Sequence, residues 1–553
     1  MDRRSLLTLS KKKPLQHAPH FAVTGRTQTG LAPYTGAFDQ NAVQHLLKRT
    51  LFGSTGADLK YFLPKGLTAA VNELLSTTEP APAPPVNDYS SATVVDPQVA
   101  LGQTWVTSPT NDGGINGQRR ASLKKWWTGL QLNQARTLRE KMTLFWANHF
   151  GTEMNDIGNA HYAYGHHALL RKHALGNFKT LVKEVTIDAG MLRYLNGYLN
   201  TATAPDENYS RELQELFTLG KGPGSQYTEA DVKAAARVLT GWRINGTDFK
   251  VFFDPARHDT GAKTFSSFYN NTVIAGRTGA AGSSETDALL DMIFAKEEVS
   301  KFICRRLYTW FVYYAIDEAV EQNVITPLAA IFRTSNYDLV PVLRTLFSSE
   351  HFFDPLNQGC LIKSPVDFSV SCMREYGVQF PPDADYANAY GMWNYLRNWN
   401  TSMGQDVGDP PSVSGWPAYY QAPQFHELWI NSDTLPKRAR FTDTMIGPGY
   451  TRNGKKILID AVAFTKTLSN PADPNVLLND ALSILFRVPL SDASKATIKQ
   501  QILLSNQTAD FYWTNAWNAH VSNTADTAAF NIVNNRLKAL YQYLMGLPEY
   551  QLS

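Results

Sequence analysis

Apolar side chains recur at helical spacing through most of this chain, and strand-like alternation is confined to one region. Periodic segments cover 41–51, 58–63, 67–75, 119–130, 136–150, 286–318, 324–333 and 339–348. In the last third they cover 457–468, 475–485, 490–504 and 530–545. Positions i, i+3, i+4 and i+7 share one helix face, so each segment predicts a helix with its greasy side inward. Only 249–253 and 264–269, within a break from 244 to 285, read as short strands. The expected fold class is therefore mainly α: a large multi-helix body with a minor β-hairpin-like insertion and long Pro/Gly-rich excursions. The excursions are 79–118, read as a surface arm or lid, and 404–429. The expected division is a basic, turn-rich arm over 1–38, a main helical domain over 39–370, and an aromatic, Pro-rich segment with a helical C-terminal part over 371–553.

The stretch 206–220 concentrates chemistry on one helix. Tyr209, Leu213, Leu216 and Phe217 form its apolar stripe, while Asn208, Arg211, Glu212 and Glu215 share the opposite face. Asp206 suits an N-cap and Gly220 a left-handed C-terminal residue. Two adjacent carboxylates in a partly dry cleft can be driven to different pKa values, which supplies an acid and a base. The same groups also suit a structural network, with Arg211 and Glu215 at i, i+4. Glu212 is expected to point into an enclosed polar space, with Trp146, Phe217 and Trp242 in one core.

A second group is His258 and Asp259 with Lys263, placed on a strand-flanked turn where an imidazole that titrates near neutrality could act. An Asp after a His also caps a turn. The two groups are expected to approach one another across the intervening helix as one composite site. A third cluster, His149, His161, His166, His167 and His173, lacks the i, i+4 spacing of a helical metal motif, so packing or solvated roles are favoured. The chain has no nucleophile elbow, phosphate loop or dinucleotide fingerprint. No cofactor is predicted, and metal dependence stays open. Trp416, within the Pro- and aromatic-rich stretch 410–420, is a candidate stacking platform for a sugar ring or partner; the alternative is a cap over helix ends.

The segments 207–220, 227–232 and 239–242 are similar to those of the bacterial family known as domain of unknown function 1800. His45 to Gly53, Phe145 to Phe150, Gly176 to Phe178, His258-Asp259, Lys263 to Phe265, Met403 to Gln405, and Pro410-Pro411 leading to Gly415-Trp416-Pro417 follow in the family's order. Asp206, Gln214 and Ser412 depart from the residues more usual there. The resemblance implies a helical, frequently exported bacterial protein, often encoded beside a sulfatase-superfamily relative. That relative is the one partner class it suggests.

Composition narrows the remainder. At 553 residues the chain exceeds the usual single-core size. Lys and Arg total 52 against 49 Asp and Glu, so the net charge of +3 gives no basic excess suited to nucleic acid. Three cysteines without a paired motif do not suggest a disulfide framework, though they leave room for one bridge, and Cys304 reads as a small buried residue. The Arg3-Arg4 pair resembles the start of an export signal, but Lys11-Lys12-Lys13-Pro14 interrupts before an adequate apolar stretch. No run is apolar enough to span a bilayer. A soluble chain is expected by default, with export as the alternative. Two functions compete: acid–base hydrolase or lyase chemistry on a polymer such as a glycan, with Arg211, Glu212, Glu215, His258 and Asp259 catalytic and Asn208, Lys263 and Trp416 binding; or a non-catalytic scaffold that binds the sulfatase-like partner.

Overall fold

A computed structural model describes residues 29–553, so the Arg3-Arg4 pair and most of the expected basic arm lie outside the described residues. Helix makes up 57% of the structure and strand 5%. The expected mainly α class is what the periodicity produces. Predicted and observed helices agree closely at Gln40–Thr50, Leu67–Leu74 and Leu339–Phe347. Their starts have local causes. The Thr55 side chain caps Gly56–Phe62 in a reciprocal box with Asp58, and Asn177 accepts from Thr180 N ahead of Phe178–Thr186.

Arg139–His149 runs through the centre and is buried on nearly every side. Trp146 stacks on Phe178, and Phe150 meets Phe217, so Trp146 and Phe217 do share a core. Trp242 does not join them: it is half-buried, edge-on to Phe253, and its Nε1 donates to Thr286 Oγ1 at 3.1 Å. Cys304 is fully buried, and burial raises its thiol above the ordinary range.

The Pro-rich excursion is shorter than expected and is packed rather than loose. Helix Gly113–Leu132 starts six residues before Arg119, because Asp112 accepts from Ile115 N and caps it. Within the excursion Trp105 is buried, and Asp96 accepts from Arg119 Nε at 2.9 Å and from Tyr89 Oη at 2.7 Å. The expected boundary at 370/371 falls inside helix Pro365–Glu375, and buried side chains form one contiguous cluster on both sides of it. Helix Tyr386–Ser402 lies so close on Gly113–Leu132 that Trp393 occupies the space where Gly129 would carry a Cβ.

Three small antiparallel hairpins complete the fold. β1 (Trp242–Ile244) pairs with β2 (Val251–Phe253), β3 (Lys263–Thr264) with β4 (Val273–Ile274), and β5 (Tyr450–Arg452) with β6 (Lys455–Ile457). Strand character at 249–253 is trimmed because Phe249 takes a left-handed φ of 62° as the β1–β2 connection closes. Residues 267–269 form a 3-10 turn rather than a strand.

A Cβ on Gly129 would sit 2.7 Å from the Trp393 ring. Gly129→Ala should therefore destabilise the chain by about 1–3 kcal/mol through overpacking, read as a lower denaturant midpoint at unchanged slope.

Candidate functional site

The helix that carries the densest chemistry changes gauge midway. It is α-helical over Asn208–Glu212 and becomes a π-helix over Leu213–Thr218, with Leu219 N donating to Gln214 O. The N-cap position falls on Glu207, without a side-chain cap bond, rather than on Asp206, which sits one residue earlier and accepts from Asn208 N at 2.8 Å; Gly220 takes the expected left-handed φ of 76°. The wider turn carries Gln214 into the core beside Leu213 and Phe217, while Leu216 stays half-exposed. Gln214 then spends both ends of its amide: Nε2 donates to Ser210 O at 3.0 Å, and Oε1 accepts from Tyr269 Oη at 2.7 Å.

The polar face lies at one end of helix Glu229–Val238. Arg211 clamps Glu229 in a bidentate pair at 2.8 and 2.7 Å and reaches Glu207 at 3.1 Å, rather than Glu215. Glu215 pairs with Lys221. The Glu229 hydrogen bonds hold the Arg211 guanidinium above its ordinary range. Glu212 is half-buried, with no ion pair among the described residues. Burial first, and the Glu215 carboxylate second, raise its pKa above the ordinary 4.5. The same order of causes lifts the Tyr227 phenol to about 12. Asn208 is exposed on the rim of this group. The expected enclosed pocket around Glu212 is thus a half-open cluster, because the partners its neighbours find are surface side chains.

The second group lies at the other end of the same helix. Arg237 holds Asp259 with Nε to Oδ2 at 2.7 Å and Nη2 to Oδ1 at 3.1 Å. Partial burial pushes the Asp259 carboxyl up, but Arg237 and the Gly261 N–H hold it below its ordinary 3.8. His258 turns inward: Nδ1 lies 2.9 Å from Thr240 O, and Nε2 lies 3.1 Å from Glu285 Oε1. Lys263 reaches the other Glu285 oxygen at 2.5 Å and also donates to Asp259 O. Arg277 N donates to Glu285 Oε1 at 2.6 Å. The side chains of His258, Lys263 and Glu285 are 1%, 0% and 0% exposed. Lys263 is therefore a structural cation rather than a group offered to substrate.

The two groups do not converge. They are tied to Glu229 and Arg237, eight residues apart on one helix, or roughly 12 Å at 1.5 Å per residue. Packed polar contacts fill the interval: Asp231 accepts from both the N–H and hydroxyl of Thr228 and of Ser266, and Ser210 donates to Val232 O. The composite site is replaced by two ionic anchors on one strut. Sequence reading missed Arg237, Glu285, Thr240 and Asp231, which lie 19 to 35 residues from the partners they hold. The capping box at Thr228 and Asp231 was the one local signal among them.

Trp416 is 1% exposed, and its N–H is held by Asn148 Oδ1 at 2.9 Å. It caps the central helix and offers no ring to solvent. The histidine run also serves packing: His166 meets Asp188 at 2.8 Å, His161 meets Val106 O at 3.0 Å, and His167 lies edge-on to Trp126 and Trp127. His149 Nε2 donates to Phe217 O at 3.0 Å, and burial drives its pKa down to about 3, which leaves the ring neutral. Among the described residues, no three His, Cys, Asp or Glu side chains group as a metal site.

Removing Glu285 would strand Lys263 in a dry interior. Glu285→Gln should cost about 3–5 kcal/mol, the scale for breaking a buried ion pair, whereas Glu215→Gln should leave the unfolding midpoint nearly unchanged. Because the Asp259 carboxyl sits below 3.8 when folded, its stabilisation is complete above that value and is lost as pH falls through the folded pKa. In acid titrations followed by circular dichroism, Asp259→Asn should lose stability at neutral pH and show a shallower decline below 3.8 than the parent.

No curated protein and no solved structure matches the chain. The family model described as "Protein of unknown function (DUF1800)" matches residues 45–552, and the chain belongs to that family.

Proposed function

We propose that this chain is a non-catalytic helical scaffold that docks a partner protein, and that the partner is a sulfatase-superfamily protein, the class implied by the family resemblance. The observation that carries this reading is the closed pairing of the groups an acid–base mechanism would need. His258 and Lys263 are buried against Glu285, Asp259 is held by Arg237, Arg211 by Glu229, and Glu215 by Lys221. A general base must reach a substrate proton directly or through one water, and buried, mutually paired groups are poorly placed to do so.

A docking surface needs apolar area left in solvent. The helical hairpin of Phe511–Ser522 and Thr527–Gly546 supplies it: Phe511 and Tyr512 stack with ring centres 4.4 Å apart, both exposed. Arg536 of the second helix donates to Tyr512 O, which places its face beside them. Ile532 and Tyr543, at i−4 and i+7 from Arg536, share that face and are exposed. Aromatic and arginine side chains are the types that dominate interface energetics.

Acid–base chemistry remains the second reading because Glu212 keeps a half-buried carboxyl whose pKa is raised by burial and by Glu215, the property of a general acid. The experiment is co-expression of the full chain with a sulfatase-superfamily protein from the same genome, followed by size-exclusion chromatography. Co-elution that is lost with Phe511→Ser plus Ile532→Ser and kept with Glu212→Gln is the expected result. Separate elution, with glycan depolymerisation abolished by Glu212→Gln, would instead establish the enzyme.

A further inference from the structure

The first long helix, Gln40–Thr50, is buried almost end to end and carries His45, Lys48 and Arg49 into the interior. Lys141, Lys363, Arg438 and Arg487 are buried around it. Against these cations stand two acidic partners: Glu375, 2.8 Å from Lys48, and Asp367, paired with Lys141. Arg49, Lys363, Arg438 and Arg487 have no carboxylate within ion-pair reach among the described residues. Arg487 settles on the neutral oxygens of Gln44 and Asn41, and Arg438 on Lys363 O. Buried charge without a counter-charge costs several kcal/mol per ion. Burial lowers Lys48 to about 7 and also depresses Lys363 and Lys141, the last with Arg49 adding repulsion.

Arg49 is the sharpest case. It is 3% exposed; Nη2 donates to Asn357 O at 2.9 Å, while Nε and Nη1 have no partner. Arg49 also lines a cavity of about 40 Å³, together with Lys48, Lys141, Thr309, Ser364 and Tyr419. The Asp367 carboxylate faces the same space but is already engaged by Lys141 and by Ser364 Oγ at 3.0 Å. Aromatic walls close it, with Trp310 stacked on Tyr419 at 4.2 Å. One water needs roughly 10–15 Å³ of such space, so the cavity suits a small polyatomic group.

We propose that this cavity binds a tetrahedral oxyanion, phosphate or sulfate, with the free Nε and Nη1 of Arg49 as its fork and Lys141 as its second cation. A guanidinium presents paired donors in the geometry such an anion accepts. The anion supplies the missing negative charge, and Thr309 and Ser364 are among the lining residues. Residues far apart in sequence, Lys48 and Arg49 with Ala418 and Tyr419, meet here. The inference is independent of the docking reading, since the cavity is lined by none of the exposed residues of the C-terminal hairpin.

The test is titration of the full chain with inorganic phosphate, then sulfate, at constant ionic strength, by calorimetry and by phosphorus-31 line broadening. Saturable one-site binding in the millimolar range or tighter, competition between the two anions, and at least a tenfold loss with Arg49→Gln are expected. Arg487→Gln, a buried cation outside the cavity lining, should retain the affinity. Binding of an anion held only at the end of a larger molecule would show as tighter competition by a sugar sulfate or sugar phosphate than by the inorganic ions. If Arg49→Gln does not fold, Arg49→Lys decides: it keeps the charge but loses the paired donors, and should bind phosphate at least tenfold more weakly than the parent. Absence of saturable binding by both inorganic anions and their sugar esters, or full affinity in Arg49→Gln or Arg49→Lys, overturns the proposal.

Discussion

A carboxylate can stay charged inside a protein only where several donors converge on it, and this chain uses that requirement to fasten its irregular segments to its helices. Glu285 accepts from Lys263 Nζ and the Arg277 N–H, with the His258 ring 3.1 Å away, and so ties β3 and the segment after β4 to the start of helix Glu285–Phe294. Asp231 takes four donors from Thr228 and Ser266 and joins a helix N-terminus to the turn after β3. Asp96 does the same for the Pro-rich excursion through Arg119 and Tyr89. Backbone that belongs to no helix or sheet has little regular hydrogen bonding of its own, so these side chains supply part of its cohesion. Their burial is a property of architecture before it is a property of chemistry.

The family's unknown activity makes the distinction between anchor and active group the central question. The pairs at Arg211 and Asp259 are partly exposed and stiffen the two ends of one helix. The Lys263–Glu285 pair is dry, so its desolvation is large and its geometry must be kept. The region around Arg49 inverts the pattern: positive charge is buried in excess, and donors remain unspent. The buried carboxylates of Asp96, Asp231 and Glu285 all find donors, which leaves this excess of buried cations conspicuous.

Helices were legible because periodicity is a local property of sequence, as at Gln40–Thr50 and Leu339–Phe347. The π-turn at Leu213–Thr218 was not, since one extra residue in a turn leaves the apolar spacing nearly intact. Helix Phe511–Ser522 was passed over because its aromatics fall on both sides, exposed at Phe511 and Tyr512 and buried at Trp513 and Trp517. The β5–β6 hairpin carried a readable signal in Asn453-Gly454, both with left-handed φ, and was missed. At the candidate site, His258, Asp259 and Lys263 were correctly grouped by proximity in sequence. Their partners Glu285 and Arg237 were not, because only folding brings a position more than twenty residues away into contact. Trp416 shows the same limit, since aromatic richness does not tell an outward ring from an inward one.

The π-turn has a consequence for chain length. Over Leu213–Thr218 the backbone closes its hydrogen bonds one residue later than an α-helix does, and the Thr218 hydroxyl occupies the Leu213 carbonyl. An α-helix advances 1.5 Å and rotates about 100° per residue, so the wide turn holds one residue without lengthening the span between Glu212 and Gly220 by a full step. A chain shorter by one residue here closes an ordinary helix between the same two end points. Length variation at this place is thereby absorbed inside the helix, while the core on one side and the strut on the other keep their positions.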